Sequence, residues 1–253
     1  VTRTLLMTLR ARAEEHLHND RLFSDQWSYE WYQWMPKFDD LDAWYLPTFQ
    51  LATAIRTAII DEITEAFIEK HDRPVIVEIG GGLSSRPYRL GIQRAQWVIL
   101  DLPSAMSVRY KVDEPNDNLL FLSHSATSDN WARRVPETDS SSYLFIAEGV
   151  LMFLEESEII ELVDRLRSNF DKGTFVFDVV REGYRNREQE NFANLEAEIK
   201  FHMDEYDFKG LGLQDESIDY LLTSYPERWQ QIGIDKSKLT EENSGFIATT
   251  LLK

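Results

Sequence analysis

Val75-Ile76-Val77-Glu78-Ile79-Gly80-Gly81-Gly82-Leu83-Ser84-Ser85-Arg86-Pro87 is the stretch on which the fold turns. Residues 75–79 form a short apolar run, interrupted only by Glu78, that stops at three consecutive glycines. A run this short, bounded by a turn signal, reads as a buried strand entering a tight turn. Ser84-Ser85 offers an N-cap and Pro87 suits a first helical turn, so a helix with free N–H groups at its start is expected next. Further strands are expected at 97–100, ending at Asp101, at 119–122, at 143–147, ending at Glu148, and at 174–180. Between the last two, residues 155–170 place Ile159, Leu162, Val163, Leu166 and Phe170 on one helical face. Buried strands alternating with amphipathic helices make an α/β fold: a Rossmann-like, mostly parallel sheet covered on both sides.

On either side of this core the pattern changes. Residues 1–72 read as a helical cap or lid belonging to the same domain, and 73–253 as the core. From Leu51 the apolar positions Ile55, Ala58, Ile59, Ile63, Ala66 and Phe67 share one helix face, with Asp61, Glu62, Glu65 and Glu69 opposite. Residues 27–45 hold eight aromatics, four of them among the seven tryptophans of the chain, and Pro36 and Pro47 break this region into short pieces. Toward the end, 214–222 is expected to be helical, and 228–234 and 245–252 to close the sheet as an antiparallel strand pair.

The 253 residues carry 27 basic and 44 acidic side chains, a net charge of −17, with 43% hydrophobic residues and no cysteine. That apolar content can fill a sizeable core and is too high for a disordered acidic chain. The charge opposes binding to nucleic acid backbones and to anionic membrane surfaces. Without cysteine there is no disulfide and no thiolate metal site. Uninterrupted apolar runs are far shorter than a membrane span, and Arg3, Arg10 and Arg12 interrupt the apolar stretch at the start, so neither a membrane span nor a signal peptide is expected. A cytoplasmic protein is the expectation. The first residue, Val1, is consistent with a piece of a longer chain.

Ligands of open α/β sheets bind beyond the carboxyl ends of the strands. There the sequence places the glycine turn, Asp101 to accept from ribose hydroxyls, and Glu78 and Glu148 around the same crevice. The run Gly80-Gly81-Gly82-Leu83-Ser84-Ser85 lacks the third glycine of a dinucleotide fingerprint. Three carboxylates would also oppose a pyrophosphate and favour a ligand with a sulfonium and an ammonium group, such as S-adenosylmethionine.

Three segments carry a resemblance: 77–86 (Val-Glu-Ile-Gly-Gly-Gly-Leu-Ser-Ser-Arg), 100–103 (Leu-Asp-Leu-Pro) and 148–154 (Glu-Gly-Val-Leu-Met-Phe-Leu). Together with Ala54-Ile55-Arg56-Thr57 and the opening Thr4-Leu5-Leu6, they resemble the leucine carboxyl methyltransferase family. The likeness is nearest to its bacterial branch of small-molecule O-methyltransferases, the tetracenomycin polyketide type. It implies a class I S-adenosylmethionine-dependent methyltransferase fold and S-adenosylmethionine as cofactor, with no metal. Carried over position by position, it implies that Arg56 holds the cofactor carboxylate and that Gly80 and Gly82 pack against its methionine and ribose, with Gly81 between them also a cofactor-site candidate. Asp101 would bond the ribose hydroxyls, and Glu148 would lie near the amino group. Ser125-Ala126 would lie beside the adenine, with Ser125 where the family often has aspartate. A basic residue of the first helix, Arg10 or Arg12, is a second partner for the cofactor carboxylate.

Methyl transfer to a carboxylate needs no general base, whereas a hydroxyl acceptor is helped by one. Of five histidines, His202 is the candidate base; His16, His18 and His71 read as solvated and His124 as structural. Tyr29, Trp31, Tyr32 and Trp34 are candidates for an acceptor-facing lid, against the alternative that they simply pack on the sheet. The partner is expected to be a small-molecule acceptor, free or tethered to a carrier protein. Three other functions stay open: methylation of a protein C-terminal carboxylate, nicotinamide-dependent oxidoreduction, and a binding module without catalysis.

Overall fold

The structure, a computed structural model, describes residues 2–36, 42, 45–137, 140–170, 173–180, 216–219, 225–234 and 245–252. Among the described residues seven strands form one sheet: β1 (Pro74–Ile79), β2 (Gln96–Asp101), β3 (Leu119–Ser123), β4 (Ser142–Ala147), β5 (Gly173–Val180), β6 (Glu216–Asp219) and β7 (Gly245–Leu252). Their order is β3-β2-β1-β4-β5-β7-β6. The five strands from β3 to β5 run parallel, and β7 is antiparallel to both β5 and β6. The chain enters at the centre, winds outward to β3 and returns to β4, so the switch point lies between β1 and β4.

Alternation along each strand explains why the strands read as unbroken apolar runs. Val75, Val77, Ile79, Phe145, Phe175 and Phe177 face one side, and Ile76, Trp97, Ile99, Leu144, Ile146 and Val176 the other. A helix covers each side, so neither set faces water. On the first side α6 (Glu156–Asn169) supplies Ile159, Leu162, Val163 and Leu166. Its start is fixed by a capping box in which Glu155 and Glu158 bond each other's backbone N–H groups. On the second side α3 (Pro47–Lys70) supplies Leu51, Ile55 and Ile59. Pro47 fits the first helical turn because its missing N–H would have been unpaired there.

Two helices lie over the carboxyl edge of the sheet: α1 (Thr2–Leu17) and α2 (Gln26–Trp34). Leu5, Leu6, Met7 and Leu9 of α1 form a third cluster with Trp31, Met35 and Leu83. Ala105 and Val108, from α5 (Pro103–Arg109), complete it. The first helix is therefore packed directly against the segment that follows the glycine turn. No helix among the described residues is long and apolar enough to cross a membrane.

The parallel sheet with its closing antiparallel strands agrees with the expectation, but the partner of β7 does not. Residues 228–234 are not a strand: α7 (Pro226–Gln231) occupies most of that stretch. Within 214–222 the described residues 216–219 are strand β6 rather than helix. Pro226, in the first turn of α7, is the start signal that the apolar spacing of Trp229, Ile232 and Ile234 obscured. Trp229 is buried on the α3 side of the sheet, and half-buried Ile232 and Ile234 pack beside it, as a helix end packed across the sheet allows. Arg228 is anchored to α1 by a two-pronged pair with Glu15, at 2.9 and 2.8 Å.

Candidate cofactor site

The glycine turn is fixed by its backbone. Gly80 and Gly82 have φ of +63° and +47°, conformations that side-chain-bearing residues rarely adopt. A Cβ on Gly80 would stand 2.5 Å from Val150 Cγ2, so the turn lies directly against the segment after β4. Gly80 and Gly81 donate their N–H groups to the Leu100 carbonyl, at 2.7 and 3.2 Å. Gly82 donates to Asp101 Oδ2 at 2.7 Å, and Leu102 N–H to Asp101 Oδ1 at 2.7 Å.

The carbonyls that follow are held by arginines. Arg109 Nη1 donates to the carbonyls of Gly82 and Ser84, both at 2.9 Å, and Arg12 Nη2 donates to that of Leu83 at 2.9 Å. The expected helix with free N–H groups is only α4 (Arg86–Arg89), a single turn. Ser85 flanks it, but its hydroxyl turns away and bonds Asp25 at 2.8 and 2.6 Å. The turn and its short helix therefore form no cradle for a pyrophosphate, because the glycine amides already have protein acceptors.

Beneath the turn lies a continuous chain of alternating charge. Arg86, 1% exposed, gives one nitrogen to each of three carboxylates. Nε bonds Asp61 of α3 at 2.7 Å, Nη1 bonds Glu78 of β1 at 2.7 Å, and Nη2 bonds Glu148 after β4 at 2.5 Å. Arg89 joins Asp61 to Asp25, with contacts of 2.8 Å to each. Asp25 caps α2 by accepting from Ser28 N–H, and Arg12 approaches it at 3.8 Å. At the other end Arg56 bonds Glu148 at 3.1 Å and Asp178 of β5 at 3.0 Å. Asp178 also accepts from Gly149 N–H.

Burial and charge act against one another in this chain. Burial alone would raise the Glu148 carboxyl, but Arg86 and Arg56 outweigh it and hold the group well below the usual carboxylate range. Burial likewise opposes the charge of Asp25, and Arg89 and Arg12 reverse that effect. Asp101 has no arginine in hydrogen-bond contact among the described residues. Burial dominates there and pushes its carboxyl up, against two backbone N–H donors. Asp178 is also pushed up, chiefly by burial, despite its contact with Arg56. Burial lowers the Arg12 guanidinium to about 10, and among the described residues its Nη1 has no hydrogen-bond partner.

The structure thus brings Arg56, Gly80, Gly81, Gly82, Asp101 and Glu148 together between β1, β2 and β4. Glu78 is nearby but only 3% exposed, with Oε2 on Arg86 and Oε1 unpartnered among the described residues. This corrects the electrostatic expectation: Glu78 and Glu148 are paired with arginines, whereas Asp101 has only the more distant charge of Arg109 to offset it among the described residues. Ser125 sits in the turn after β3, bonded to Thr127 Oγ1 at 2.8 Å. The Ala126 carbonyl there takes Trp131 Nε1 and Arg165 Nη1. The structure separates the two basic candidates of the first helix. Arg10 pairs with Glu14 and Asp42, whereas Arg12 reaches the glycine turn.

The aromatic candidates do not line one wall. Trp31 is buried in the α1–α2 cluster, edge-on to Tyr88 at 5.9 Å. Tyr29 lies against His16, and half-buried Tyr32 packs beside the α1 cluster. Trp34 is 83% exposed. The helical period separates them: Ser28 and Trp31 turn inward, and Trp34 turns out. His202 lies outside the described residues, as do residues 181–187 and 204–207. Sequence reasoning missed Arg86, Arg89, Asp25 and Asp178 as parts of the site. Asp178, a lone charge within an apolar strand, was the available signal.

The family model for leucine carboxyl methyltransferase matches residues 5–167, well over half of the chain. The chain belongs to the leucine carboxyl methyltransferase family. The tetracenomycin polyketide synthesis O-methyltransferase of Streptomyces glaucescens is 26% identical over 184 residues, covering 71% of this chain and 66% of that protein. An S-adenosyl-L-methionine-dependent methyltransferase of Gibberella zeae is 26% identical over 183 residues, covering 66% of this chain and 60% of that protein. The chain thus spans slightly less than two thirds of the length of these relatives. Among solved structures, a DUF574 family protein from Streptomyces avermitilis superposes with a TM-score of 0.59 at 12% identity, covering 96% of this chain and 95% of that one. The fold is that of class I S-adenosylmethionine-dependent methyltransferases, and S-adenosylmethionine is the cofactor that this family and fold bring.

Proposed function

We propose that this chain is an S-adenosylmethionine-dependent O-methyltransferase acting on a hydroxyl or carboxylate of a small, polyketide-related metabolite. The division of hydrogen-bonding capacity around the glycine turn carries this reading. The glycine amides are spent on protein acceptors, while Asp101 keeps lone pairs and, among the described residues, Arg12 keeps a nitrogen unspent. A ribose diol and an amino-acid carboxylate would use those two groups; a pyrophosphate would meet Asp101 and find the glycine amides already bonded.

The chain's own residues would divide the work as follows. Asp101 accepts from the ribose hydroxyls, Arg12 and Arg56 face the cofactor carboxylate, and Glu148 offers its remaining lone pair to the amino group. Gly80, Gly81 and Gly82 let the backbone approach, and the turn at Ser125-Ala126 borders the adenine. When bound, S-adenosylmethionine supplies an electrophilic methyl group for in-line displacement by the acceptor. Tyr29, Tyr32 and Trp34 are the lid residues proposed to meet that acceptor. The S. glaucescens relative supports the polyketide reading by its name.

Calorimetry with S-adenosylmethionine and with NAD tests the cofactor. Heat with the former and none with the latter is expected, and the reverse overturns the reading. Mass spectrometry of small phenols and carboxylic acids, for a gain of one methyl group, tests the acceptor class. Methylation confined to the C-terminal carboxylates of peptides would assign the substrate to proteins instead. With a hydroxyl acceptor, His202→Ala is expected to slow turnover roughly 10²–10⁴-fold, the range of general-base effects. With a carboxylate acceptor it should have no such effect.

A further inference from the structure

We propose that Arg86 is the positioning residue of the cofactor crevice, fixing the Glu148 carboxylate in the orientation that receives the cofactor's amino group. The inference rests on the S-adenosylmethionine reading of this crevice and goes beyond it, since Arg86 itself meets no cofactor atom in that reading. Arg86 lies in a one-turn helix, and its three guanidinium nitrogens each take a carboxylate from a different element. Asp61 comes from α3, Glu78 from β1 and Glu148 from the segment after β4. A planar guanidinium dictates where those three carboxylates stand, as a point charge does not.

The geometry at Glu148 shows what this orientation leaves over. Oε1 accepts from Arg56 Nε and from Thr57 Oγ1, at 3.1 and 3.2 Å. Oε2 accepts from Arg86 Nη2. A carboxylate has about four lone-pair sites, so one direction on Oε2 remains for a donor outside the protein. Without Arg86 the Oε2 atom has no donor among the described residues and the carboxylate is free to turn toward Arg56. Burial makes a purely stabilising role a weak account of the arrangement. Replacing buried ion networks by apolar groups is often neutral or favourable, so such a network is better explained by what it holds in place.

Every charged group facing Glu148 enters the expected pH behaviour. Arg86 and Arg56 contact it; Arg12 acts at longer range, also favouring its charge; and Asp178 opposes it by like-charge repulsion. Glu78 and Asp61 share Arg86 with it. Weakening Arg86 therefore lets the Glu148 carboxyl rise toward the ordinary range, and cofactor affinity then falls as the solution is acidified.

The test is calorimetric titration of S-adenosylhomocysteine into the unsubstituted protein, Arg86→Lys, Asp61→Asn and Glu148→Gln, at pH 7.0 and 5.5, with thermal melts to confirm folding. Arg86→Lys keeps the charge but cannot fork, so binding should weaken roughly ten- to hundredfold, the scale of one spoiled charged hydrogen bond. The further loss at pH 5.5 should exceed that of the unsubstituted protein. Asp61→Asn releases the far side of Arg86 without touching the crevice and should act in the same direction by about threefold or more; it decides the matter if Arg86→Lys does not fold. Unchanged affinity and an unchanged pH response in the folded variants overturn the proposal alone. No binding by the unsubstituted protein, or full affinity in Glu148→Gln, overturns the underlying site reading and the proposal with it.

Discussion

Substituting alanine for Gly80 tests the turn on which both fold and site depend. Two costs can be worked from the structure. A φ of +63° places Ala in the left-handed region, at roughly 1–2 kcal/mol. The new Cβ would also stand 2.5 Å from Val150 Cγ2, so the segment after β4 must shift; overpacking of this kind costs about 1–3 kcal/mol. Gly80→Ala should therefore destabilise by about 2–5 kcal/mol, or lower Tm by roughly 5–15 °C for a chain of this size. The two terms separate in a double-mutant cycle. In a Val150→Ala background Cγ1 and Cγ2 are gone, and the remaining Cβ lies at an ordinary contact distance of 3.6 Å. The cost of Gly80→Ala should then fall to the backbone term alone, about 1–2 kcal/mol, a coupling of about 1–3 kcal/mol. Urea unfolding of the four proteins measures it. Equal costs in both backgrounds, or a destabilisation below about 0.5 kcal/mol, would refute the reasoning.

Three further outcomes follow from the site. Asp101→Asn removes the charge and leaves one oxygen for two backbone donors, Gly82 and Leu102 N–H, so S-adenosylhomocysteine affinity should fall by about 1.5–3 kcal/mol and stability by about 1–3 kcal/mol; calorimetry beside a melt reads both. Glu148, Asp25 and Glu15 are held below the usual carboxylate range, so the stability they contribute is present above about pH 4.3 and is lost as pH falls further. Asp101 and Asp178 are raised and act oppositely, their cost being relieved on acidification. Glu148→Gln should therefore flatten the acid loss of stability by up to about 1.4 kcal/mol per pH unit in urea titrations between pH 5.5 and 3, and an equally steep loss would contradict its pairing. Trp31→Ala should cost about 3–5 kcal/mol because it empties a packed site, whereas exposed Trp34→Ala should stay within about 0.5 kcal/mol; chemical denaturation tells them apart.

The apolar run at residues 75–79, the glycine turn and Asp101 were legible because each acts through local rules. Short apolar segments, positive-φ turns and strand-end carboxylates leave their mark in neighbouring residues. The closing strand was half legible. The apolar run of β7 is its own signal, but β6 is four residues long, and its pairing with β7 depends on residues far along the chain. Trp229, Ile232 and Ile234 show apolar positions that a strand and a short packed helix both satisfy.

At the site, the sequence by itself determined which residue types gather at the strand ends: glycines, Asp101, Glu148 and a preceding helix bearing Arg56. Only the tertiary structure decided how their charges are settled. Glu148 and Glu78, which read as part of an anionic crevice, meet Arg86 across 62 and 8 residues of chain, and Asp178 meets Arg56 across 122. Whether a carboxylate faces a ligand or an arginine depends on a few ångströms of side-chain placement, which periodicity does not encode. The same holds for the choice between Arg10 and Arg12. They lie two residues apart on α1, and the helical turn sends one to Asp42 and the other to the glycine turn, where burial strips its water and leaves Nη1 unpaired among the described residues.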